Sequence, residues 1–133
     1  MIEELSVGSS SKVDAIDITA RVASIVNKGK VKDGVCRLFI PHTTAGILIN
    51  EHADPSVIED ILMELNKAIP AEDGYSHAEG NSSAHIKSSL IGHSLDVFIE
   101  DGNLKLGTWQ GIFFCEFDGP RKRKIWIKVS SDH

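Results

Sequence analysis

The strongest constraint on this chain is the brevity of its apolar runs. Seven of them, at 2–7, 35–40, 45–50, 95–100, 105–108, 111–116 and 124–129, are rich in β-branched, aromatic and aliphatic residues and soon give way to Gly, Pro, Asp or a polar cluster. Runs of this length and content read as strands. Their connections are short, which favours antiparallel pairing. Asp101-Gly102 is a hairpin turn signal between two of them, and Pro41 ends the ladder of the run before it.

Two segments carry a helical period instead. Asp17-Ile18-Thr19 offers an N-cap ahead of Ala20–Asn27, with Gly29 as the stop. Asp54-Pro55 sets a capping acid and a first-turn proline before Val57, Ile58, Ile61, Leu62 and Leu65, predicting a helix that ends near Pro70. Ala84–Ile91 adds one or two turns before Gly92. Strands outnumber helices, and no linker, low-complexity tract or repeat interrupts them. The expectation is a single α+β domain over residues 1–133, long enough to bury a core without disulfide or metal staples.

Composition narrows the partners. Hydrophobic residues make up 41% and charged residues 25% of the chain, the balance of a globular protein. The formal charge of −5 repels phosphate backbones, so neither nucleic acid nor an anionic membrane is an expected partner. Arg121-Lys122-Arg123-Lys124 is the local exception, fit for a phosphorylated small ligand or for RNA, unless it is a solvated strand start; of the four, only Arg121 looks bound to a pocket. Cys36 and Cys115 lie far apart inside apolar runs and read as buried, reduced thiols. No charged-then-apolar leader and no run of membrane-spanning length is present, so a cytoplasmic location is expected.

Four polar clusters break the apolar pattern. Pro41-His42-Thr43-Thr44-Ala45-Gly46 sets an imidazole and two hydroxyls at a strand end, where a regular strand would place His42 and Thr44 on one face and Thr43 on the other. Asn50-Glu51-His52-Ala53-Asp54 precedes a helix N-terminus; Asp54 serves as its cap, and Glu51 with Asp54 would suit a divalent cation. His52 reads as a solvated loop residue. Tyr75–His85 holds His77 and His85 around a Gly-containing bend, and with His42 they would make a three-imidazole metal site with an open position, or else simply hydrogen-bond. His93 and His133 carry no such reading.

The fourth cluster runs from Leu106-Gly107-Thr108-Trp109-Gln110-Gly111 to Cys115-Glu116-Phe117-Asp118-Gly119-Pro120-Arg121. Alternation puts Glu116 and Asp118 on one face, and half-buried carboxylates are costly unless a cation answers them. Arg121 answers either as a structural ion-pair partner or as a fork for phosphate. The four clusters together are expected to line one ligand pocket.

The segments PHTTAG, NEHADP, HAEGNSSAH, LGTWQGI and EFDGPRKR, in this order and over nearly the whole chain, resemble the signature of the YjbQ family, also called UPF0047. The resemblance implies an α+β fold of sandwich-like antiparallel sheets, a homotrimer with polar clusters near the subunit interfaces, and a weak secondary thiamine-phosphate synthase activity. That activity joins a pyrimidine pyrophosphate to a thiazole phosphate and releases pyrophosphate. Neutralising the departing charge calls for a divalent ion, zinc or magnesium-like, together with Arg or Lys. On this reading Glu51, Asp54 or the histidines hold the metal, Thr43, Thr44 and Arg121 bind phosphate oxygens, and Asn81 and Gln110 orient the rings. Two rivals stay open: a metal-dependent hydrolase with His42, His77 and His85 as ligands and Glu116 as base, and a non-catalytic trimer that binds a phosphorylated metabolite.

Overall fold

Every strand pairing is antiparallel, and the pairings sort the strands into two sheets. The computed structural model describes residues 1–133. The elements are β1 (Ile2–Gly8), β2 (Asp14–Asp17), α1 (Thr19–Gly29), β3 (Gly34–Phe39), β4 (Ala45–Glu51), α2 (Pro55–Ala68), α3 (Ser82–Ile91), β5 (Ser94–Glu100), β6 (Asn103–Leu104), β7 (Gln110–Glu116) and β8 (Lys122–Ser131). Five strands form one sheet in the order β1-β8-β3-β5-β6, and three form the other in the order β2-β7-β4. No helix is long and apolar enough to cross a membrane.

The main core fills the space between the sheets. Cys36, Leu38, Val97, Ile99, Ile125 and Ile127 come from the larger sheet, Ile47, Ile112 and Phe114 from the smaller, and Val22 and Val26 from α1. The outer face of the smaller sheet makes a second core, in which Phe113, Cys115 and Phe117 meet Ile58 of α2 and Ala84 of α3. β7 is therefore buried on both faces, its even positions turned to one core and its odd positions to the other. Each large apolar side chain buried in this way stabilises the fold by roughly 1.5–3 kcal/mol. Both cysteines are free and buried, and burial pushes their thiols up to about 11 at Cys36 and about 12 at Cys115.

Local signals set most element limits. Asp54 caps α2 through its side chain, accepting from the Ser56 backbone N–H, and Pro55 opens the helix. Four departures from the sequence expectation have physical causes. β2 was not foreseen, because it has only four residues and two are acids. α1 passes through Gly29, and the left-handed position that stops it falls on Lys30, with φ 55°. Residues 105–108 form no strand; only Asn103 and Leu104 pair with β5 before the chain turns toward β7. α3 is a full ten-residue helix rather than one or two turns.

Gly34 sits where β3 passes β8, and a Cβ there would overlap the Ser130 carbonyl oxygen, which is backbone and cannot step aside. Gly34→Ala is expected to lower the unfolding free energy by about 2 kcal/mol or more, read from urea denaturation midpoints at unchanged slope.

Candidate functional site

Pairing register places three sheet-to-sheet connections at one end of the sandwich. The end of β1 lies opposite the start of β8 (Gly8 to Lys122), and the start of β7's partners lies opposite its end (Asp14 and Ala45 to Glu116). The connections 9–13, 40–44 and 117–121 must therefore meet there. Their backbones leave the ladders together, so polar side chains rather than apolar ones close the core at this end.

Glu116 and Arg123 close it. Glu116 ends β7 on the core-facing side, Arg123 begins the inward face of β8 ahead of Ile125 and Ile127, and they are 0% and 5% exposed. The Arg123 guanidinium grips both Glu116 oxygens and also donates to the Thr44 carbonyl (3.2 Å) and hydroxyl oxygen (2.7 Å). Ser9 donates its hydroxyl to Glu116 at 2.7 Å, and the Asp118 N–H donates at 3.0 Å. Burial alone would push the Glu116 carboxyl up, but the Arg123 hydrogen bonds, the Asp118 and Ser9 donors and the Arg123 charge outweigh it and hold it below the ordinary value.

Above this pair lies a cavity of about 720 Å³ with only two hydrophobic residues in its lining. The 40–44 connection contributes His42, Thr43 and Thr44, the 117–121 connection Asp118 and Arg121, and the segment around α3 contributes His77, Glu79, Asn81 and His85. Four of the six histidines reach it, counting His93. Arg121 is tied to Asp118 through its backbone oxygen (2.9 Å) and carboxylate (3.2 Å), and the same carboxylate oxygen accepts from Asn81 Nδ2 at 2.9 Å. The Asn81 Oδ1 atom is buried with no partner.

His42 Nε2 accepts the Lys124 backbone N–H at 3.0 Å, so the neutral ring carries its proton on Nδ1. Desolvation, aided by the Arg123 charge, lowers its pKa and favours that neutral form. His77 and His85 stand edge to face with ring centroids 5.3 Å apart. A neutral imidazole has one ring lone pair, and His42 has committed it, so the three-histidine metal set does not fit this arrangement. No group of three or more His, Cys, Asp and Glu side chains stands positioned to share one ion. Ser88 and His93 form a hydroxyl–imidazole contact at 3.1 Å, but Ser88 donates its proton to the Ala45 carbonyl at 2.6 Å and is not poised as a nucleophile.

The sequence clusters thus divide. His42, Thr43, Thr44, His77, Asn81, His85 and Arg121 share the cavity, whereas Glu116 lies beneath it, enclosed and fully engaged. Because residues 40–44 are not a regular strand, Thr43 and Thr44 both line it. Glu51, Asp54 and Gln110 stand at the other end of β4 and β7, where Glu51 pairs with Gln110 in register. Six residue steps of strand, about 20 Å, separate the two ends. Gln110 there accepts the Gly107 N–H (2.8 Å), Glu51 accepts the Asp54 N–H (3.3 Å), and His52 Nδ1 meets Asp17 at 2.9 Å. One pocket formed by all four clusters is therefore not what a single chain contains.

Arg123 corrects the expectation that Arg121 alone of the basic run is pocket-bound. Its signal was present in the sequence: Arg123 shares the parity of Ile125 and Ile127, the buried face of the strand. His93 had no comparable signal, since it is the pairing of β3 with β5, continued by the Ile40 N–H on the His93 carbonyl at 2.7 Å, that brings it to the cavity.

Two antiparallel sheets, with α2 and α3 on the outer face of the smaller one and a polar cavity where the sheet connections meet, define a small α+β protein. The chain belongs to the YjbQ family: the model described as UPF0047 protein YjbQ-like matches residues 3–132. A UPF0047 protein of Methanocaldococcus jannaschii is 49% identical over 99% of this chain and 96% of its own length, and YugU of Bacillus subtilis is 45% identical over 97% and 98%. A crystal structure of an uncharacterized YjbQ/UPF0047 protein from Clostridium acetobutylicum, 54% identical, superposes with a TM-score of 0.94 over 96% of this chain and 99% of its own. A YjbQ-like protein of unknown function from Sulfolobus solfataricus also reaches 0.94 at 32% identity, over 99% and 97%.

Glu116→Gln removes the charge and leaves Arg123 buried without its counter-ion, which is expected to cost about 3–5 kcal/mol near pH 7. The Glu116 pKa lies below the ordinary 4.5 in the folded state. Its contribution is therefore complete above that value and is lost as pH falls through the folded pKa. Urea titrations from pH 7 down to 3 should show the gap between wild type and variant narrowing only below about 4.5.

Proposed function

We propose that the cavity binds a phosphorylated small molecule and that the protein turns it over in a group-transfer reaction of the thiamine-phosphate synthase type. The supporting observation is the anchoring of two guanidinium groups, Arg121 by Asp118 and Arg123 by Glu116, in the lining that also holds the His42, Thr43 and Thr44 donors. Each arginine already has its own carboxylate. Phosphate oxygens would therefore be held by directed, charge-assisted hydrogen bonds rather than by a net positive field. A volume of about 720 Å³ suits a phosphorylated heterocycle.

In the proposed reaction the bond between the pyrimidine's carbon and the pyrophosphate oxygen breaks. The oxygen leaves with the electron pair, and the thiazole partner supplies the pair for the new bond. Arg121 and the His42 N–H would meet the growing charge on the leaving group, and Asn81, fixed by Asp118, would orient a ring. A divalent ion accompanying the phosphates would supply further charge neutralisation, with His77 and His85 as the imidazoles whose lone pairs no backbone donor claims. In the homotrimer that belongs to this reading, Glu51, Asp54 and Gln110 of one copy would act by meeting the cavity of another.

Arg121→Ala is expected to weaken inorganic pyrophosphate binding at least tenfold in calorimetric titration and to reduce synthase turnover in parallel. Melting temperature should barely move, because a half-exposed ion pair contributes little. Unchanged affinity and turnover would remove Arg121 from the site. Affinity without any saturable rate above the buffer reaction would leave a binding protein. Sedimentation equilibrium should give three times the 14.5 kDa chain mass; a monomer would exclude any part for Glu51, Asp54 and Gln110 in the cavity.

A further inference from the structure

Lys87 lies midway along α3 and is 4% exposed. Lysine is rarely buried to this degree without a carboxylate, yet the one partner of its Nζ is neutral, the Asn66 Oδ1 at 2.5 Å. None of the chain's six ion pairs includes it. An ammonium group has three donors, so two remain without an acceptor from the chain. Desolvation first, and the charge of Lys12 second, lower its pKa, as expected of a cation with no counter-charge at hand.

The surroundings are a second cavity, of about 460 Å³, lined by Lys87 and Ser83 of α3, Lys12 of the 9–13 connection, Asn66 of α2 and the apolar Phe117. Its eight lining residues include two lysines and no acid, in a chain where Asp and Glu outnumber Lys and Arg by 19 to 14. It is distinct from the first cavity. Asn81 and His85, one helical turn apart, face the first, while Ser83 and Lys87, also one turn apart but rotated by two residues, face the second.

We propose that this cavity is a second anion site, which takes the phosphoryl group of a small molecule between Lys87 and Lys12 with the Ser83 hydroxyl as a further donor. A phosphate monoester carries nearly two negative charges at neutral pH and matches two ammonium groups, where a carboxylate would match one. Lysine suits such a ligand as a mobile point charge. The anion would supply what the fold withholds, a counter-charge for a buried cation. This site stands independently of the reading of the first cavity.

The test is a titration of inorganic phosphate followed by backbone amide NMR shifts, with Lys87→Met and Lys12→Ser as variants. In the wild type, the Lys12, Ser83 and Lys87 amides should shift along one saturable curve. Lys12→Ser, at an exposed position that leaves the fold intact, should weaken that curve several-fold. Lys87→Met should abolish it while leaving any response at Thr43 and Arg121 unchanged, and should melt no lower than wild type because a buried charge has been removed. Absence of saturable shifts at Lys12, Ser83 and Lys87, or an unaltered curve in Lys12→Ser, overturns the proposal. A Lys87→Met protein that melts well below wild type and keeps the phosphate response also overturns it, assigning Lys87 a structural role. Responses at Thr43 and Arg121 report on the first cavity alone, so the two readings fail separately.

Discussion

The rest of the structure depends on how one buried carboxylate is satisfied. An ionised carboxylate has about four acceptor positions, and Glu116 fills them with two from Arg123, one from Ser9 and one from Asp118. Arg123 in turn reaches Thr44 through both its carbonyl and its hydroxyl oxygen. Ser9, Thr44 and Asp118 lie one in each of the three connections that cross between the sheets. A buried pair of this kind adds little net stability compared with apolar residues of the same volume. Its value lies in position: no apolar substitute would fix three polar loops relative to one another, and those loops carry the lining of the cavity. The same saturation keeps Glu116 from acting as a base, since no lone pair is left to take a proton.

Much of the fold was legible because strands and helices announce themselves by period. Pro55 behind Asp54, the run from Val57 to Leu65, and the apolar segments that became β3, β4, β5, β7 and β8 needed no tertiary context. β2 escaped because its two acids and four residues blunt the alternation. The stretch 105–108 misled for the opposite reason: it has strand-like content, but after the Lys105 N–H bonds the Phe98 carbonyl at 2.7 Å it pairs with β5 no further. Pairing is a property of the whole sheet, and no local pattern encodes it.

The site was half legible, and strand length explains the missing half. His42, Thr43, Thr44, His77, Asn81, His85 and Arg121, expected around one pocket, do line one cavity, and each of them follows an apolar run or sits in or beside a long polar loop. Glu51 was grouped with them as a cation ligand beside Asp54, and Gln110 through the family resemblance. A strand converts proximity in sequence into separation: β4 carries Ala45 at the cavity and Glu51 at the far end, and β7 carries Glu116 and Gln110 in the same opposed way. Motifs that flank an extended strand on both sides belong to different ends of a sandwich, and within one chain they do not share a ligand.

α3 shows why the remaining residues were invisible. Its buried positions are Ser83, Ala84, Lys87 and Ser88, so the helix has no apolar stripe for a period search to find. An amphipathic helix buries leucine or isoleucine to hold itself against a sheet. This one buries two hydroxyls and an amine, and it turns an amide and an imidazole toward the opposite cavity. Side chains of that kind gain little from burial, so α3 is held largely by its neighbours, with Gly46 giving it room: a Cβ there would press on Gly92 and Ile91. A helix arranged in this way is organised around the polar groups it presents to two cavities, and its weak sequence signal follows from that arrangement.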